Sequence, residues 1–347
     1  MARYSSRISD RHMVAVRFSS LGDIVLTTGV LLRYHQEHGT MFTVVTRKAF
    51  APVFDGHPAV QEVIGLDEGE LHGPSQAAAF RRIVEKGKDS PLLDLHRNLR
   101  SALLAKNWKD AIICYRKMSL ERRFFLWSKG RLCRKALLSL NVPQRYAAGL
   151  YSREELPAQE ELRPRLFLSE EEKNHACQAI AGLRKNFSRV VALHPFATHD
   201  LKTWKPAAWL AFAALLRKNS IGCFWIGQGP DLPAEEKECS FVNKTGLRQL
   251  FALCGEADAV VTGDSAPMHI ADAVNTPVLA LFGPTTREWG FFPSGAEDRV
   301  MQLDLPCRPC SLHGSGSCPH AHACLEGISP DAALGVLQSM PAIDGMS

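Results

Sequence analysis

The sequence predicts an α/β protein made of two doubly wound halves, each built on a parallel sheet, with a cleft between them. Three observations predict this architecture. The 347 residues are enough for two domains of ordinary size, strand-like apolar runs alternate with helix-like stretches, and one segment rich in proline and charge interrupts the alternation. Strands that alternate with helices pair in parallel through right-handed crossovers.

The first half alternates strand-like runs with helical stretches. MVAVRF (13–18) reads as a buried strand and leads through the loop SSLGD into a helical pattern that continues up to Gly39. The same order recurs at MFTVVT (41–46), VIGL (63–66), LLDLH (92–96) and AIICY (111–115), with helices that include 74–86 and one that starts at Asn98.

A connection follows and divides the chain. Residues 143–165 contain three prolines, many charges and no sustained periodicity. We therefore predict an N-terminal domain over 1–150, a linker over 151–165, a C-terminal domain over 166–330, and a C-terminal helix and tail over 331–347.

The second half repeats the alternation. Ser169 and Glu172 have the spacing of a capping box ahead of a helix. The predicted strands are RVVALHP (189–195), GCFWIG (222–227), SFV (240–242), AVVTG (259–263) and VLALFG (278–283), with helices near 206–218, 232–238 and 246–254 and another after Ser265.

Composition excludes several classes of protein. The chain is 46% hydrophobic and 22% charged, as in ordinary globular proteins, and no apolar run is long enough to cross a bilayer. Residues 1–13 lack the apolar centre of a secretory signal, so we expect a cytoplasmic protein with reduced thiols. No glycine-rich dinucleotide fingerprint follows the first strand and no P-loop occurs, which disfavours redox chemistry on a dinucleotide and P-loop hydrolysis.

Parallel sheets bind ligands beyond the carboxyl ends of their strands, so the loops there are the candidate site. In the first loop, Gly22 permits a sharp turn and Asp23 begins a helix. Asp23 has two interpretations: it stabilises the positive end of the helix dipole, or it acts as a general base.

Three further loops favour an anionic ligand. In HPFATHDLKTWK (194–205), Lys202 is a point charge suited to a phosphate, although a solvated loop has a similar composition. The glycines of GQGP (227–230) either allow close approach of a ligand or only turn the chain. GDSAPMH (263–269), with Ser265 as N-cap and Pro267 in the first turn, begins a helix whose free backbone N–H groups attract anions.

Four stretches of the sequence together resemble a known family. FSSLGDIVLTTGVL, DLHRNLRSALLA, HPFATHDLKTW and GDSAPMHIADAVNTPVLALFGPTT occur in this order between about residues 13 and 330. They resemble the glycosyltransferase family that contains the ADP-heptose:lipopolysaccharide heptosyltransferases. The resemblance implies a GT-B fold, in which two Rossmann-like doubly wound domains face a central cleft. It also implies inverting transfer of a heptose from ADP-heptose to the inner core of a lipid A-linked oligosaccharide, with no cofactor required for catalysis.

The resemblance also assigns roles to residues in these motifs. Asp23 matches the catalytic base, and we assign Lys202 to catalysis with it. Gln228 stands where some members have a glutamate that holds the adenosine ribose. The predicted substrate-binding residues are Ser20, Gly22, Arg97, Asn98, Arg100, Thr198, Gln228, Asp264, Ser265, Ala266, Pro267, Met268, His269, Gly283 and Pro284.

A basic segment indicates how the acceptor is approached. Between Arg97 and Tyr146 there are thirteen lysines and arginines but only Asp110 and Glu121 as acidic residues. A solvated helical face or a nucleic-acid partner would also give such a run. Because the aromatic stretch 124–127 (Phe124, Phe125, Leu126, Trp127) lies within it, we favour an anionic membrane surface that carries a phosphorylated glycolipid. The expected protein is a monomer without a nucleic-acid partner, in peripheral contact with the cytoplasmic face of the inner membrane.

Four cysteines crowd near the C-terminus, at Cys307, Cys310, Cys318 and Cys324. Their number matches a tetrahedral structural zinc site, although only the first pair has the spacing of a metal knuckle. Packed or exposed thiols are the alternative.

Two other functions fit the same loops. A nucleotide-sugar-binding protein would keep the donor site but would not need Asp23. A GT-B epimerase would convert a nucleotide sugar without an acceptor.

Overall fold

The computed structural model describes residues 12–341. The first residues of the predicted N-terminal domain (1–11) and the end of the predicted tail (342–347) lie outside the described residues. The strands are β1 (His12–Val16), β2 (Met41–Arg47), β3 (Val60–Leu66), β4 (Leu92–Asp94), β5 (Ile112–Cys114), β6 (Arg189–His194), β7 (Ile221–Trp225), β8 (Ala259–Gly263), β9 (Val278–Phe282) and β10 (Arg299–Gln302).

The helix predicted near 232–238 is only a 3-10 turn over Ala234–Glu236, but α-helices follow most of the strands as predicted. They are α1 (Leu21–His38), α2 (Glu68–Leu71), α3 (Ser75–Lys86), α4 (Leu99–Ala105), α5 (Ser119–Trp127), α6 (Arg134–Leu138), α7 (Val142–Ala147), α8 (Glu170–Asn186), α9 (Pro206–Lys218), α10 (Leu247–Gly255), α11 (Ala266–Ala273), α12 (Ala323–Glu326) and α13 (Pro330–Ser339). No helix among residues 12–341 has both the length and the apolar character needed to cross a membrane.

The strands form two five-stranded parallel sheets, with the orders β3-β2-β1-β4-β5 and β10-β9-β8-β6-β7. The predicted strand SFV is wrong: Ser240 makes only an isolated bridge to Trp225 at the end of β7. The sequence reading also missed the edge strand β10, which has no strictly buried position and therefore carries a weak apolar signal.

The described chain divides into two compact units whose limits differ from the predicted ones. The first consists of residues up to Lys117 together with Val142–Phe167, and the second of Met118–Asn141 together with residues from Leu168 onward. Residues 151–165, predicted as a linker, belong to the first unit, where the Arg165 backbone N–H donates to Thr28 Oγ1 on α1 at 2.8 Å. Met118–Asn141 belongs to the second unit because Phe125 packs on Trp289, with the ring centroids 5.6 Å apart.

Each unit has its own apolar core. In the first, Val14 and Val16 of β1 pack with Phe80 and Ile83 of α3. In the second, the edges of Trp204 and Trp225 meet Trp209 of α9. Full burial of a valine, isoleucine or phenylalanine side chain stabilises the fold by roughly 1.5–3 kcal/mol.

The strand orders decide which loops become neighbours. In the first sheet the order reverses between β1 and β4, and in the second between β6 and β8. Ligands bind at such switch points because the connections leave in opposite directions and open a crevice. The loops after these four strands are therefore where each unit can hold a ligand.

Candidate functional site

In the first unit, the Asp23 carboxylate lies at the switch point, as the third residue of α1. Its Oδ1 atom pairs with Arg17 Nη2 at 2.7 Å and accepts a hydrogen bond from the Tyr146 hydroxyl at 2.9 Å. Its Oδ2 atom accepts hydrogen bonds from the Ser20 hydroxyl at 2.8 Å and the Ser20 backbone N–H at 3.3 Å. The side chain is 18% exposed, so a ligand can reach it although most of it is enclosed.

These partners keep Asp23 ionised. Burial alone would raise its pKa, but the Arg17 charge and the hydrogen bonds from Ser20 and Tyr146 outweigh burial and lower the pKa to about 2. The same burial and the Asp23 carboxylate raise the pKa of Tyr146, which stays a protonated donor. The unit therefore presents a fixed carboxylate at neutral pH.

Sequence reasoning missed Arg17 and Tyr146. Arg17 is the one charged residue in the run MVAVRF, which is a signal that such a position has a specific partner. Tyr146 lies 123 residues from Asp23 in the chain and gave no local signal. It is buried, with the edge of Tyr115 4.9 Å away and Arg17 over its ring at 5.3 Å.

The loop after β4 holds the three predicted residues Arg97, Asn98 and Arg100. Buried Asp94 fixes the loop, since its Oδ1 accepts the backbone N–H groups of His96 at 2.9 Å and Arg97 at 2.8 Å. Asn98 caps α4 by accepting the Ser101 N–H at 3.1 Å. The exposed Arg97 donates to the Tyr115 carbonyl at 2.8 Å, and Arg100 is half-buried on α4.

In the second unit, Lys202 and Asp264 meet at the switch point between β6 and β8. Lys202 Nζ lies 2.6 Å from Asp264 Oδ2, which also accepts a hydrogen bond from the Thr285 hydroxyl at 2.6 Å. The two side chains are 17% and 11% exposed. Thr198 is exposed in the same loop, just before the 3-10 turn Asp200–Lys202.

The first turn of α11 lies beside this pair. Ser265 is its N-cap, as predicted, but its side chain makes no capping hydrogen bond. The Ser265 hydroxyl instead contacts Thr262 Oγ1 at 3.0 Å and His194 Nδ1 at 3.3 Å. Burial lowers the pKa of His194 to about 4, so it is neutral at pH 7. In this turn Pro267 has no N–H and the Met268 N–H donates to the Ser265 carbonyl at 3.2 Å, so the Ala266 backbone N–H is the group left for a ligand.

The predicted residues of α11 differ in exposure. Asp264, Ser265 and Ala266 are half-buried, whereas Pro267, Met268 and His269 are buried. The His269 ring packs near Phe291, 6.1 Å between centroids. A ligand would therefore meet the backbone of this turn more readily than the side chains of Met268 or His269.

The glycine loops are shaped by packing inside the unit. Gly227 has a positive φ of 111°, and a Cβ there would lie 2.5 Å from the His194 ring. Gln228 is exposed between Gly227 and Gly229, and Asn243 holds this loop by donating to the Gly229 carbonyl at 2.8 Å. The interpretation that these glycines serve the path of the chain therefore has direct structural support.

The cysteine-rich loop packs against the donor-side residues, which sequence reasoning did not predict. Arg308 donates hydrogen bonds to the carbonyls of Gly283 and Thr285, the latter at 2.8 Å, and Cys310 N–H donates to the Pro284 carbonyl at 3.2 Å. Gly314 lies on the Lys202 side chain, so closely that a Cβ would be 2.7 Å from Lys202 Cγ.

The structure does not form the predicted zinc site. Among residues 12–341, no group of three or more His, Cys, Asp or Glu side chains is arranged to hold a metal ion. The Cys324 thiol packs in the apolar core, Cys318 Sγ accepts the His322 N–H at 3.4 Å, and Cys310 is exposed. Burial and the neighbouring thiols raise the pKa of Cys310 and Cys324.

Comparison with known proteins identifies the family. The sequence model described as glycosyltransferase family 9 (heptosyltransferase) matches residues 77–317, well over half of the chain. The chain belongs to glycosyltransferase family 9. It is 28% identical over 171 residues to lipooligosaccharide heptosyltransferase 2 of Campylobacter jejuni, which covers 43% of this chain and 51% of that protein. It is 24% identical over 312 residues to lipopolysaccharide heptosyltransferase 2 of Escherichia coli K12, and the match covers 82% of this chain and 86% of that protein. The chain spans about half the length of the C. jejuni relatives that it matches.

Solved structures agree on the GT-B fold. The ADP-heptose LPS heptosyltransferase II of E. coli has a TM-score of 0.71 at 22% identity, over 94% of this family 9 chain and 97% of that one. E. coli heptosyltransferase WaaC with ADP-2-deoxy-2-fluoro heptose has a TM-score of 0.59 at 18% identity, over 94% of this chain and 99% of that one. The dodecameric glycosyltransferase TibC of enterotoxigenic E. coli, described as iron-containing, has a TM-score of 0.57 at 15% identity, over 95% and 76%. At these identities the likeness shows the fold alone.

Proposed function

We propose that this family 9 chain is an inverting glycosyltransferase that moves a heptose from ADP-heptose to the inner core of a lipid A-linked oligosaccharide. The observation that carries the proposal is the Lys202–Asp264 pair, 2.6 Å apart beside the first turn of α11. At the switch point of a parallel sheet, the Lys202 ammonium group, once a diphosphate draws it from Asp264, and the Ala266 backbone N–H suit the diphosphate of a nucleotide sugar. Among the relatives, both the E. coli enzyme II and WaaC are named for, or solved with, an ADP-linked heptose.

Asp23 is the base in this proposal. The acceptor hydroxyl gives its proton to Asp23 Oδ2, whose Ser20 hydroxyl partner can rotate away, while Arg17 and Tyr146 hold Oδ1 in place. The acceptor oxygen bonds to the anomeric carbon as the bond from that carbon to the phosphate oxygen breaks. A carboxylate with a pKa of about 2 is a weak base, so it takes the proton late, when the attacking oxygen has become acidic.

Lys202 and the first turn of α11 stabilise the leaving ADP. Negative charge develops on the diphosphate as its bond to the sugar breaks, and fixed donors aimed at that charge lower the barrier. Gly314 on the Lys202 stem restricts the ammonium group before a ligand arrives. We assign the exposed Gln228 after β7 to the adenosine ribose, and Thr198 to the same donor site.

The acceptor and its membrane belong to the same proposal. Arg97 and Arg100 follow β4 in the unit that contains Asp23, where they suit a phosphorylated sugar. Because such an acceptor is carried by a lipid, we propose a peripheral protein on the cytoplasmic face of the inner membrane.

The test is a transfer assay with the purified chain, ADP-heptose and a lipid A-linked inner-core acceptor. We expect ADP release that depends on the acceptor, a product heavier by one heptose, and inversion at the anomeric carbon. Conversion of ADP-heptose without an acceptor would instead identify an epimerase. Tight binding of ADP-heptose without turnover would identify a nucleotide-sugar-binding protein.

A further inference from the structure

Large exposed apolar side chains are concentrated in one segment of the second unit, Met118–Asn141. Of the eight large hydrophobic side chains that are exposed among residues 12–341, five lie in Met118–Asn141. They are Leu120, Phe124, Trp127, Leu132 and Leu138, with Trp127 exposed by 78%. Single exposed hydrophobic residues are ordinary, but a contiguous group marks an interaction site.

Three of these residues form one face of α5, which we call the outer face: Leu120, Phe124 and Trp127. Their spacings of four and three residues place them along one side of the helix. The opposite side is fixed to the protein, since Phe125 packs on Trp289 and Arg122 donates to the Trp289 carbonyl at 3.1 Å. The outer face is therefore held in position and not covered by the unit's own core. Phe125, which belongs to the aromatic stretch 124–127, is buried.

Charge accompanies the apolar face. Met118–Asn141 contains six lysines and arginines and one acidic residue, Glu121, a net charge of +5 that equals the charge of the whole chain. Arg134 pairs with Glu288 at 2.9 Å, whereas Arg123, Lys129 and Arg131 have exposed side chains. The partner of this surface is therefore negatively charged as well as apolar.

We propose that the outer face of α5 docks on an anionic lipid bilayer, with Leu120, Phe124 and Trp127 at the boundary of headgroups and acyl chains and Arg123, Lys129 and Arg131 among the lipid phosphates. An apolar helix face bordered by basic residues binds the plane of a membrane in this way. The choice of a lipid surface rests on the proposed lipid-linked acceptor. A second copy of the chain fits less well, since a two-fold contact would bring like charges together. Nucleic acid fits less well because three of the five exposed apolar residues of Met118–Asn141 are leucines, which do not stack on bases as aromatic side chains do.

A change in tryptophan emission on docking would come from Trp127. The other five tryptophans, at positions 108, 204, 209, 225 and 289, are exposed by 8% or less. We expect vesicles of phosphatidylglycerol and phosphatidylethanolamine, without ADP-sugar or acceptor, to shift the emission to the blue and to co-sediment the protein. Phosphatidylcholine vesicles should do neither, and binding should weaken as salt rises.

Variants locate the contact. Phe124→Ser with Trp127→Ser should reduce co-sedimentation at least tenfold, and Arg123→Glu with Arg131→Glu should do so as well. The control Lys185→Glu with Lys218→Glu makes the same charge change on exposed residues of α8 and α9 and should leave binding unchanged. Equal melting temperatures show that each variant is folded.

Other results overturn the proposal. They are an unshifted wild-type spectrum with no co-sedimentation, equal binding to phosphatidylcholine, equal loss in the control, concentration-dependent dimerisation through Trp127, or tighter binding to nucleic acid than to the anionic vesicles. Failure of the transfer assay alone leaves vesicle binding intact, so the two proposals fail separately.

Discussion

Replacing Asp23 with asparagine separates the two roles of its carboxylate. In the fold, the carboxylate pairs with Arg17 and accepts two hydrogen bonds from Ser20 at the start of α1. In the proposed reaction it takes the acceptor proton. Asparagine keeps the size of the side chain but not its charge, and its amide NH₂ must face either Arg17 and Tyr146 or the Ser20 N–H. Arg17 and a backbone N–H cannot accept a hydrogen bond, so the fold loses interactions in either orientation.

The cost to stability follows from the pKa of Asp23. A decrease from the ordinary 3.8 to about 2, at about 1.4 kcal/mol per pKa unit, corresponds to roughly 2–3 kcal/mol. Because the folded pKa is depressed, this stabilisation is complete above the unfolded value and is lost as the pH falls through about 2. We therefore expect urea unfolding at pH 7 to show a free energy of unfolding lower by roughly 2–3 kcal/mol for Asp23→Asn, with the difference shrinking as the pH approaches 2.

Besides the loss of stability, we expect Asp23→Asn to slow the transfer reaction. A positioned base contributes roughly a hundredfold or more, so kcat for transfer to the acceptor should decrease by at least that factor under conditions where the variant is folded. The Kd for ADP-heptose, measured by calorimetry, should not change, because the donor residues lie in the other unit.

Glu172→Gln is a matched control for the fold. Glu172 is also the third residue of its helix and accepts a hydrogen bond from its N-cap Ser169, at 2.8 Å. It pairs with Arg248 at 2.5 Å, and hydrogen bonds from Arg248 lower its pKa to about 2. The control should lose similar stability and keep its kcat. Near-normal transfer by Asp23→Asn, or equal loss of kcat in both variants, would refute Asp23 as the base and leave it as a helix-end partner.

Three further measurements test the donor site and the cysteine-rich loop that packs beside it. Lys202→Ala should weaken ADP-heptose binding roughly tenfold to a hundredfold and slow transfer. The control Lys205→Ala, which removes an exposed partner of Glu326, should do neither. Unchanged affinity in both variants would exclude Lys202 from the donor site. Gly314→Ala should weaken ADP-heptose binding several-fold because the added Cβ displaces the Lys202 side chain. In the control Gly316→Ala, the positive φ of 106° gives the same kind of backbone strain, but no atom lies within 4 Å of the added Cβ, so the affinity should not change. Equal effects of the two variants would show that strain alone is responsible. For the loop that contains Cys307, Cys310, Cys318 and Cys324, metal analysis of untagged protein should find no stoichiometric zinc or other transition metal, and chelation should leave the melting temperature unchanged. One metal per chain with chelator-sensitive melting would restore the sequence prediction.

The sequence predicted the alternation of elements well because that signal is local. A strand-like run followed by a loop and a helical pattern located β1, α1, β8 and α11 closely, and the fold class followed from their order. It failed at SFV, where only Ser240 makes a bridge, and at β10, where half-exposed residues pair at a sheet edge. In both cases pairing across the sheet, and not the local pattern, decides the structure.

The sequence by itself determined which residues end strands and begin helices, and hence that Asp23, Lys202 and Asp264 lie where ligands can bind. Only the tertiary structure decided what surrounds them. Tyr146 reaches Asp23 from 123 residues away, the order β10-β9-β8-β6-β7 brings Lys202 to Asp264, and Trp289 draws Met118–Asn141 into the second unit. The reason is physical: helix and strand periodicity depends on neighbours within a few residues, whereas ion pairs, hydrogen bonds and packing depend on distances that the path of the whole chain sets.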